Sequence, residues 1–292
     1  MALARSTSGA PLPLPPAALR FMGEDDEKLI RIGDELAGLL VEHGMDGTAR
    51  VLDVGCGYGR LALGILHATE YRGRYLGFDV LVRQIAWCRE NITPVYPNFE
   101  FRSIDIRNER YNPQGSIDPA MTTFPVERGE TDLCAVFSVF THLYRPVVER
   151  YLAEIRRILR PDGIAVTTWL VFDAARLPAV ASDAAAYPMR YALDEVTRYA
   201  SEEDPLRAIA FEESLVREMI ARAGLDLVRL ERGSWAGEPS RVFQDLVVLR
   251  RPGTILERSV HELRRLLRRV RGDSPVIGRM ADDAPASAAP PG

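Results

Sequence analysis

Between Arg50 and Leu170 the chain returns five times to a short apolar run, and most of the gaps carry helical periodicity. That alternation constrains the fold more than any other feature. The runs are RVLDV (50–54), RYLGFDV (74–80), FEFRSI (99–104), DLCAVFSV (132–139) and IAVTTWL (164–170). Helical patterns follow the first (about Tyr58 to Ala68), the second (through LVRQIAWCRENI) and the fourth (through PVVERYLAEIRRIL). In the last of these, Pro146 suits a first turn and RPDG ends the helix. A long polar loop follows the third run. Apolar strands joined by crossover helices predict an α/β fold: a doubly wound, mostly parallel sheet with helices on both faces.

The flanks extend this plan. Residues 1–20 are rich in Pro, Ala and Ser and read as a mobile segment. From Glu24 a helix is expected, with Leu29, Ile32, Leu36 and Leu39/Leu40 on one face and Gly44 as its stop. Residues 171–210 break the rhythm and read as an insertion over one rim. After a helix at about 212–223, LDLVRLERGSW and RVFQDLVVLRR predict a C-terminal antiparallel hairpin at the sheet edge. The domain is thus read as 21–250, with a basic amphipathic helix at 251–272 and a disordered tail at 273–292.

Composition narrows the class. A 47% hydrophobic content supports a sizeable core, and no run reaches the roughly eighteen apolar residues of a membrane span. The N-terminus shows no secretory pattern. Three cysteines, Cys56, Cys88 and Cys134, sit in apolar segments without metal-site spacing, so reduced thiols and a cytoplasmic location are expected. A net charge of −4 argues against nucleic acid as a partner.

The first strand leads into VLDVGCGYG, with Gly55, Gly57 and Gly59 at alternate positions. A dinucleotide-binding turn started at Gly55 needs glycine where Arg60 stands. Asp53, two residues before the turn, would repel a pyrophosphate and suits a cationic group. These residues resemble the first motif of the class I S-adenosylmethionine-dependent methyltransferases, whose fold is Rossmann-like. The cofactor carries an ammonium and a sulfonium and no phosphate. The resemblance implies that the glycines, Cys56 among them, and Asp53 meet the cofactor. It places Asp79 on the ribose hydroxyls with Val80 beside it, Asp105 on the adenine amino group, and Ile106 against the ring. The competing reading is a structural turn for Asp53 and the glycines, and solvated strand-end acids for Asp79 and Asp105. LRFMG (19–23) either folds over the cofactor or caps the first helix.

The acceptor is approached by elimination. No [DNS]-P-P-[FY] follows the fourth strand, so base amino groups are disfavoured. No Asp-Asn pair stands there to hold Mg²⁺, so no metal is expected. The double-glutamate loop of arginine methyltransferases is absent. SVFTHL places His142 just past a central strand, on the ligand rim of such sheets, where it suits a general base; a capping or core histidine is the alternative. Ser138 and Phe140 are expected in the pocket wall, and the 171–210 insertion is the expected lid. Trp235 and Gln244 either present a stacking face and an amide to a sugar or pack the hairpin. SVFTHL together with GSWAG and FQDLVVLR resembles a methyltransferase subgroup associated with glycan and secondary-metabolite modification. The expected activity is therefore metal-independent O-methylation of a sugar, glycoconjugate or other small-molecule hydroxyl. Competing readings are N- or C-methylation, a non-catalytic methyltransferase-like scaffold and, more distantly, a dehydrogenase. In the tail, TILERSVHELRRLLRRVRG sets six arginines against Glu257 and Glu262 beside an apolar stripe. That pattern fits a membrane surface, self-association or docking on the chain's own domain.

Overall fold

The computed structural model describes residues 5–21, 25–255, 259 and 263. The helix expected at 251–272 and the disordered tail expected at 273–292 fall, apart from 251–255, 259 and 263, outside the described residues. Among the latter, no helix is long and apolar enough to cross a membrane.

The chain enters through α1 (Asp26–Glu42), capped by Asp25, whose side chain accepts the Lys28 N–H at 2.7 Å. It then alternates through β1 (Arg50–Val54), α2 (Arg60–Ala68), β2 (Arg74–Asp79), α3 (Val82–Asn91), β3 (Phe99–Ser103), β4 (Thr131–Val136), α4 (Arg145–Ile158) and β5 (Leu159–Trp169). Next come β6 (Val171–Phe172), α5 (Leu177–Val180), β7 (Tyr191–Ala192), β8 (Thr197–Tyr199) and β9 (Ile209–Glu212). The described order closes with α6 (Glu213–Arg222), β10 (Asp226–Glu231) and β11 (Asp245–Arg250).

Seven strands form the main sheet in the order β10-β11-β5-β4-β1-β2-β3. Strands β1 to β5 pair in parallel, and β11 runs antiparallel to both β5 and β10. The strand order reverses between β1 and β4, and such a reversal opens a crevice at the carboxyl ends of the strands. Apolar clusters cover both faces of the sheet. One gathers around Leu29, Leu40, Leu63 and Phe99, the other around Phe140, Leu152, Trp169 and Val216.

Helices α1 and α2 meet through bare backbone. A Cβ on Gly64 would stand 1.9 Å from the Gly33 carbonyl oxygen, so glycine inside both helices serves this crossing. Asp34 on α1 and His67 Nδ1 on α2 add a hydrogen bond at 2.9 Å. The Pro-rich N-terminal segment lies on this side, burying Leu12 and Leu19, with Thr7 bonded to the Leu66 and Thr69 carbonyls.

One boundary departs from the expectation. RPDG does not merely end α4; it belongs to the start of β5. Thr131 pairs with Leu159 and Leu133 already with Ile164, so Arg160–Gly163 bulge out of register, with Asp162 at φ 61°.

The 171–210 segment builds its own small sheet, in the order β6-β9-β8-β7. It packs on the hairpin around Phe172, Met189, Ala210 and Trp235. Its anchor is Asp245, fully buried at the start of β11. That carboxylate accepts the Val171 N–H (2.6 Å), the Gly233 N–H (2.8 Å) and the Trp235 indole N–H (2.7 Å). Arg176 stands 3.3 Å away as its counter-ion. Trp235 therefore packs the hairpin and offers no face to a ligand. Gln244 accepts the Ser138 hydroxyl at 3.0 Å.

Candidate active site

A cavity of about 400 Å³ opens where the strand order reverses. Four strand ends supply its floor: Val54 and the glycine turn after β1, Phe78 and Asp79 at the end of β2, Ile106 past β3, and Phe137–Val139 past β4. Topology alone brings these residues together, although they lie far apart in the chain.

The glycine turn makes one wall. Gly55, Gly57 and Gly59 all adopt positive φ, at 73°, 54° and 80°. Their surroundings divide the labour. At Gly55 a Cβ would lie 2.5 Å from Val139 Cγ2, whereas at Gly57 it would meet only Phe21, at 3.7 Å. Gly57 thus presents bare backbone to the cavity. Gly59 caps α2 and faces inward, where a Cβ would crowd Ile92 and Cys88 at 3.1 and 3.2 Å. It is a packing glycine rather than a lining one. Cys56 lines the cavity, and burial holds its thiol well above the usual range, so it remains a neutral contact.

Asp79 is the acid in the cavity wall. It accepts the Gly57 N–H at 2.7 Å and the Leu81 N–H at 3.0 Å, so one carboxylate braces the glycine turn and the start of α3. Burial raises its pKa, and the Gly57, Leu81 and Val80 amides pull the other way. With about four acceptor sites, the carboxylate keeps some capacity for a ligand.

The other two expected acids lie elsewhere. Asp53 sits beneath the turn, not in the cavity wall. It shares the Val51 face of β1 and accepts the Tyr75 hydroxyl at 2.5 Å. Burial pushes its pKa up to about 7, against the Tyr75 hydrogen bond and the Arg60 charge, with Asp79 adding to the rise. Asp105 is exposed and turned into its own loop, where Asn112 Nδ2 (3.0 Å), the Ser116 N–H (3.0 Å) and the Ser116 hydroxyl (2.7 Å) all donate to it. These donors, Asn112 first, hold its carboxyl below the ordinary range. Asp105 ties the 105–117 loop and does not face the cavity. Val80 and Ile106 both line it as expected.

On the far side stand Ser138 and His142. Ser138 takes a left-handed conformation, φ 57°, fixed by its N–H on the Thr168 hydroxyl at 2.7 Å. His142 Nδ1 lies 2.8 Å from the Leu206 carbonyl oxygen. A carbonyl can only accept, so Nδ1 carries the proton and Nε2 keeps its lone pair in the neutral ring. Tyr111 packs edge-on against the imidazole at 5.8 Å. Burial lowers the His142 pKa, the Leu206 carbonyl opposes that, and the Arg110 charge lowers it further. A backbone contact with Arg207 raises it slightly, and on balance burial favours the neutral ring. Phe140, expected in the wall, is buried against Trp169 instead.

Comparison with known proteins agrees with this arrangement. A methyltransferase-domain family matches residues 52–167, the stretch from β1 to β5 that carries the glycine turn and all four strand ends. Residues 52–167 thus match a methyltransferase domain. Solved structures share its fold at low identity. A protein assigned as a methyltransferase, in complex with the Haloferax volcanii Trm112 methyltransferase activator, is 15% identical; the match covers 78% of this chain and 94% of that one, with TM-score 0.53. A protein assigned as a sarcosine dimethylglycine methyltransferase from Galdieria sulphuraria is 14% identical over 77% and 87%, with TM-score 0.51. The [4+2]-cyclase SpnF is 18% identical over 78% and 82%, with TM-score 0.50. That one of the three is named a cyclase shows how little the fold decides about the reaction.

The resemblance implies S-adenosylmethionine, which would supply an electrophilic methyl on a sulfonium. The residues present fit it. Bare backbone at Gly57, an acceptor at Asp79 and apolar side chains at Val80 and Ile106 form a phosphate-free cradle of suitable size.

Several lining residues escaped the sequence reading. Phe21 is the exception: it lies in the LRFMG segment that the sequence offered as a fold over the cofactor, and its ring is tilted against Tyr58 at 5.9 Å; Met22 and Gly23 lie outside the described residues. Arg110 and Tyr111 come from the polar loop after β3, and Tyr187 and Arg207 from the insertion. An aromatic amid RNERYNPQG was the one available hint; PLR within the insertion offered none.

Proposed function

We propose that this protein is a methyltransferase that transfers the methyl group to a hydroxyl of a small molecule, a sugar or glycoconjugate being the favoured class, with His142 as general base and without a metal. The observation that carries this reading is the His142 tautomer. An aliphatic hydroxyl is almost fully protonated at pH 7, so attack on a methyl group benefits from a neutral base that takes the proton as the new bond forms. The Nδ1–H bond to Leu206 leaves Nε2 as the basic nitrogen of the neutral ring, and burial favours that neutral form. Tyr111 and the Leu206 carbonyl hold the ring orientation, which limits the freedom given up on reaching the reactive geometry. Among the described residues no group of three or more His, Cys, Asp or Glu is placed to hold a metal ion, and the proposed proton transfer calls for none.

The test is methyl transfer from isotope-labelled cofactor to pooled hydroxylated and amine acceptors, read by mass spectrometry. The expected products are O-methyl ethers formed equally well with EDTA. His142→Gln should lower kcat by about 10²–10⁴-fold with cofactor affinity retained. Products methylated only on nitrogen, or turnover abolished by EDTA and restored by Mg²⁺, would overturn the reading.

A further inference from the structure

The cavity has a charge imbalance that the cofactor does not relieve. Four arginines line it, Arg60, Arg107, Arg110 and Arg207, against a single carboxylate in the same lining, Asp79; Arg60 has a partner of its own and Arg110 is paired with Asp204, so Arg107 and Arg207 carry the imbalance. Burial favours the neutral form of His142, which adds no charge. The cofactor brings a sulfonium, an ammonium and one carboxylate, so its own net charge is positive. Loading it makes the site more cationic.

The arginines differ in place. Arg60 is the first residue of α2, directly after the glycine turn, and belongs to the cofactor end. Arg110 is engaged by an ion pair with Asp204 and lies over the Tyr111 ring at 5.4 Å, so it joins the loop after β3 to the insertion. Arg107 and Arg207 are exposed on the rim. Among the described residues neither has a carboxylate within ion-pair distance. Arg207 directly follows Leu206, whose carbonyl holds the His142 ring, and Arg107 directly follows Ile106 in the cavity wall.

We infer that the acceptor carries an oxyanion, a carboxylate, phosphate or sulfate, and that Arg207 and Arg107 bind it beside the hydroxyl presented to His142. Guanidinium forks match planar and tetrahedral oxyanions with paired hydrogen bonds. An anionic acceptor also neutralises a site that a cationic cofactor has made more positive, which favours the loaded pair over either ligand alone. Among sugars, this selects uronic acids and phosphorylated or sulfated forms over neutral ones. The inference rests on reading this cavity as the acceptor site of the proposed O-methylation.

The experiment has two arms. In the first, the protein saturated with S-adenosylhomocysteine is titrated with inorganic sulfate across the millimolar range, with chloride holding ionic strength constant. Wild-type protein should bind sulfate saturably, and Arg207→Gln should weaken that binding by about tenfold, the scale of one charge-assisted hydrogen bond. Arg31→Gln, on the exposed face of α1, should leave it unchanged. Absence of saturable binding, unchanged affinity in Arg207→Gln, or equal weakening in Arg31→Gln would overturn the subsite. The second arm compares methyl transfer to glucose, glucuronic acid and glucose 6-phosphate. O-methylation without preference for the anionic members sinks the subsite and leaves the proposed reaction standing. Anion-dependent methylation of nitrogen in an amino-sugar acid sinks the reaction and leaves the subsite standing.

Discussion

Asp79 carries two loads at once, and replacing it by asparagine separates them. Its carboxylate receives one N–H from the glycine turn and one from the start of α3, at 2.7 and 3.0 Å, while buried in the cavity wall. Asparagine is isosteric but has one acceptor oxygen, so one of these N–H groups must face an NH₂ instead. Hydrogen bonds to a charged acceptor contribute about 1.5–3 kcal/mol each. The folded protein should therefore lose about that amount, a fall in melting temperature of about 2–4 °C per kcal/mol for a domain of this size. We propose that Asp79 also holds the ribose hydroxyls, and the same substitution then halves the acceptor capacity offered to them. Removing one charge-assisted hydrogen bond there weakens the dissociation constant for S-adenosylmethionine by about 10- to 150-fold. Calorimetric titration of the cofactor, alongside thermal unfolding followed by circular dichroism, reads both effects. Unchanged cofactor affinity in a folded Asp79→Asn variant would refute the placement of this acid in the binding site. An unchanged melting temperature would refute its role as a brace.

Three further outcomes follow from the same geometry. The acidic limb of the kcat–pH profile should fall below the ordinary histidine value of 6.5, because burial lowers the His142 pKa; a limb at or above 6.5 would contradict the assignment. Asp53, raised by burial to about 7 in the folded protein from 3.8, stabilises the fold fully at low pH and loses that contribution as pH rises through about 7. Asp53→Asn should therefore flatten the decline in stability of the cofactor-free protein between about pH 4 and 7, measured by urea unfolding; a slope identical to wild type would refute it. Gly64→Ala should destabilise the protein by about 1–3 kcal/mol through overpacking at the α1–α2 crossing, since the new Cβ meets the Gly33 carbonyl; a variant as stable as wild type would contradict that close approach.

How far the sequence could be read depends on what kind of order each feature reflects. Strands β1 to β4 and their helices were legible because apolar periodicity is local, and the cavity floor followed because the parallel order puts their carboxyl ends on one rim. Asp79, Val80, Ile106, Ser138 and His142 all reach the cavity for that reason alone. Position along a strand does not decide which way a side chain turns. Asp53 stands at the expected place in β1 yet points to the Val51 face, and the Tyr75 hydroxyl waits there for it. Asp105 follows β3 as expected, but Ser116 and Asn112 offer it three donors only seven to eleven residues away, and the local loop takes the carboxylate. The 204–207 segment was beyond reach for a different reason. Its contribution is a main-chain carbonyl and a neighbouring arginine, delivered sixty-four residues from His142 by a small sheet whose strands are two to four residues long. Such strands carry too few alternations to announce a register. Asp245, which anchors that sheet to the hairpin, looks in the sequence like any loop acid before an apolar run. The scaffold of the cofactor site is thus written in periodicity. The groups proposed to meet the acceptor, His142 with its Leu206 partner and the adjoining Arg207, are placed by polar contacts that periodicity does not encode.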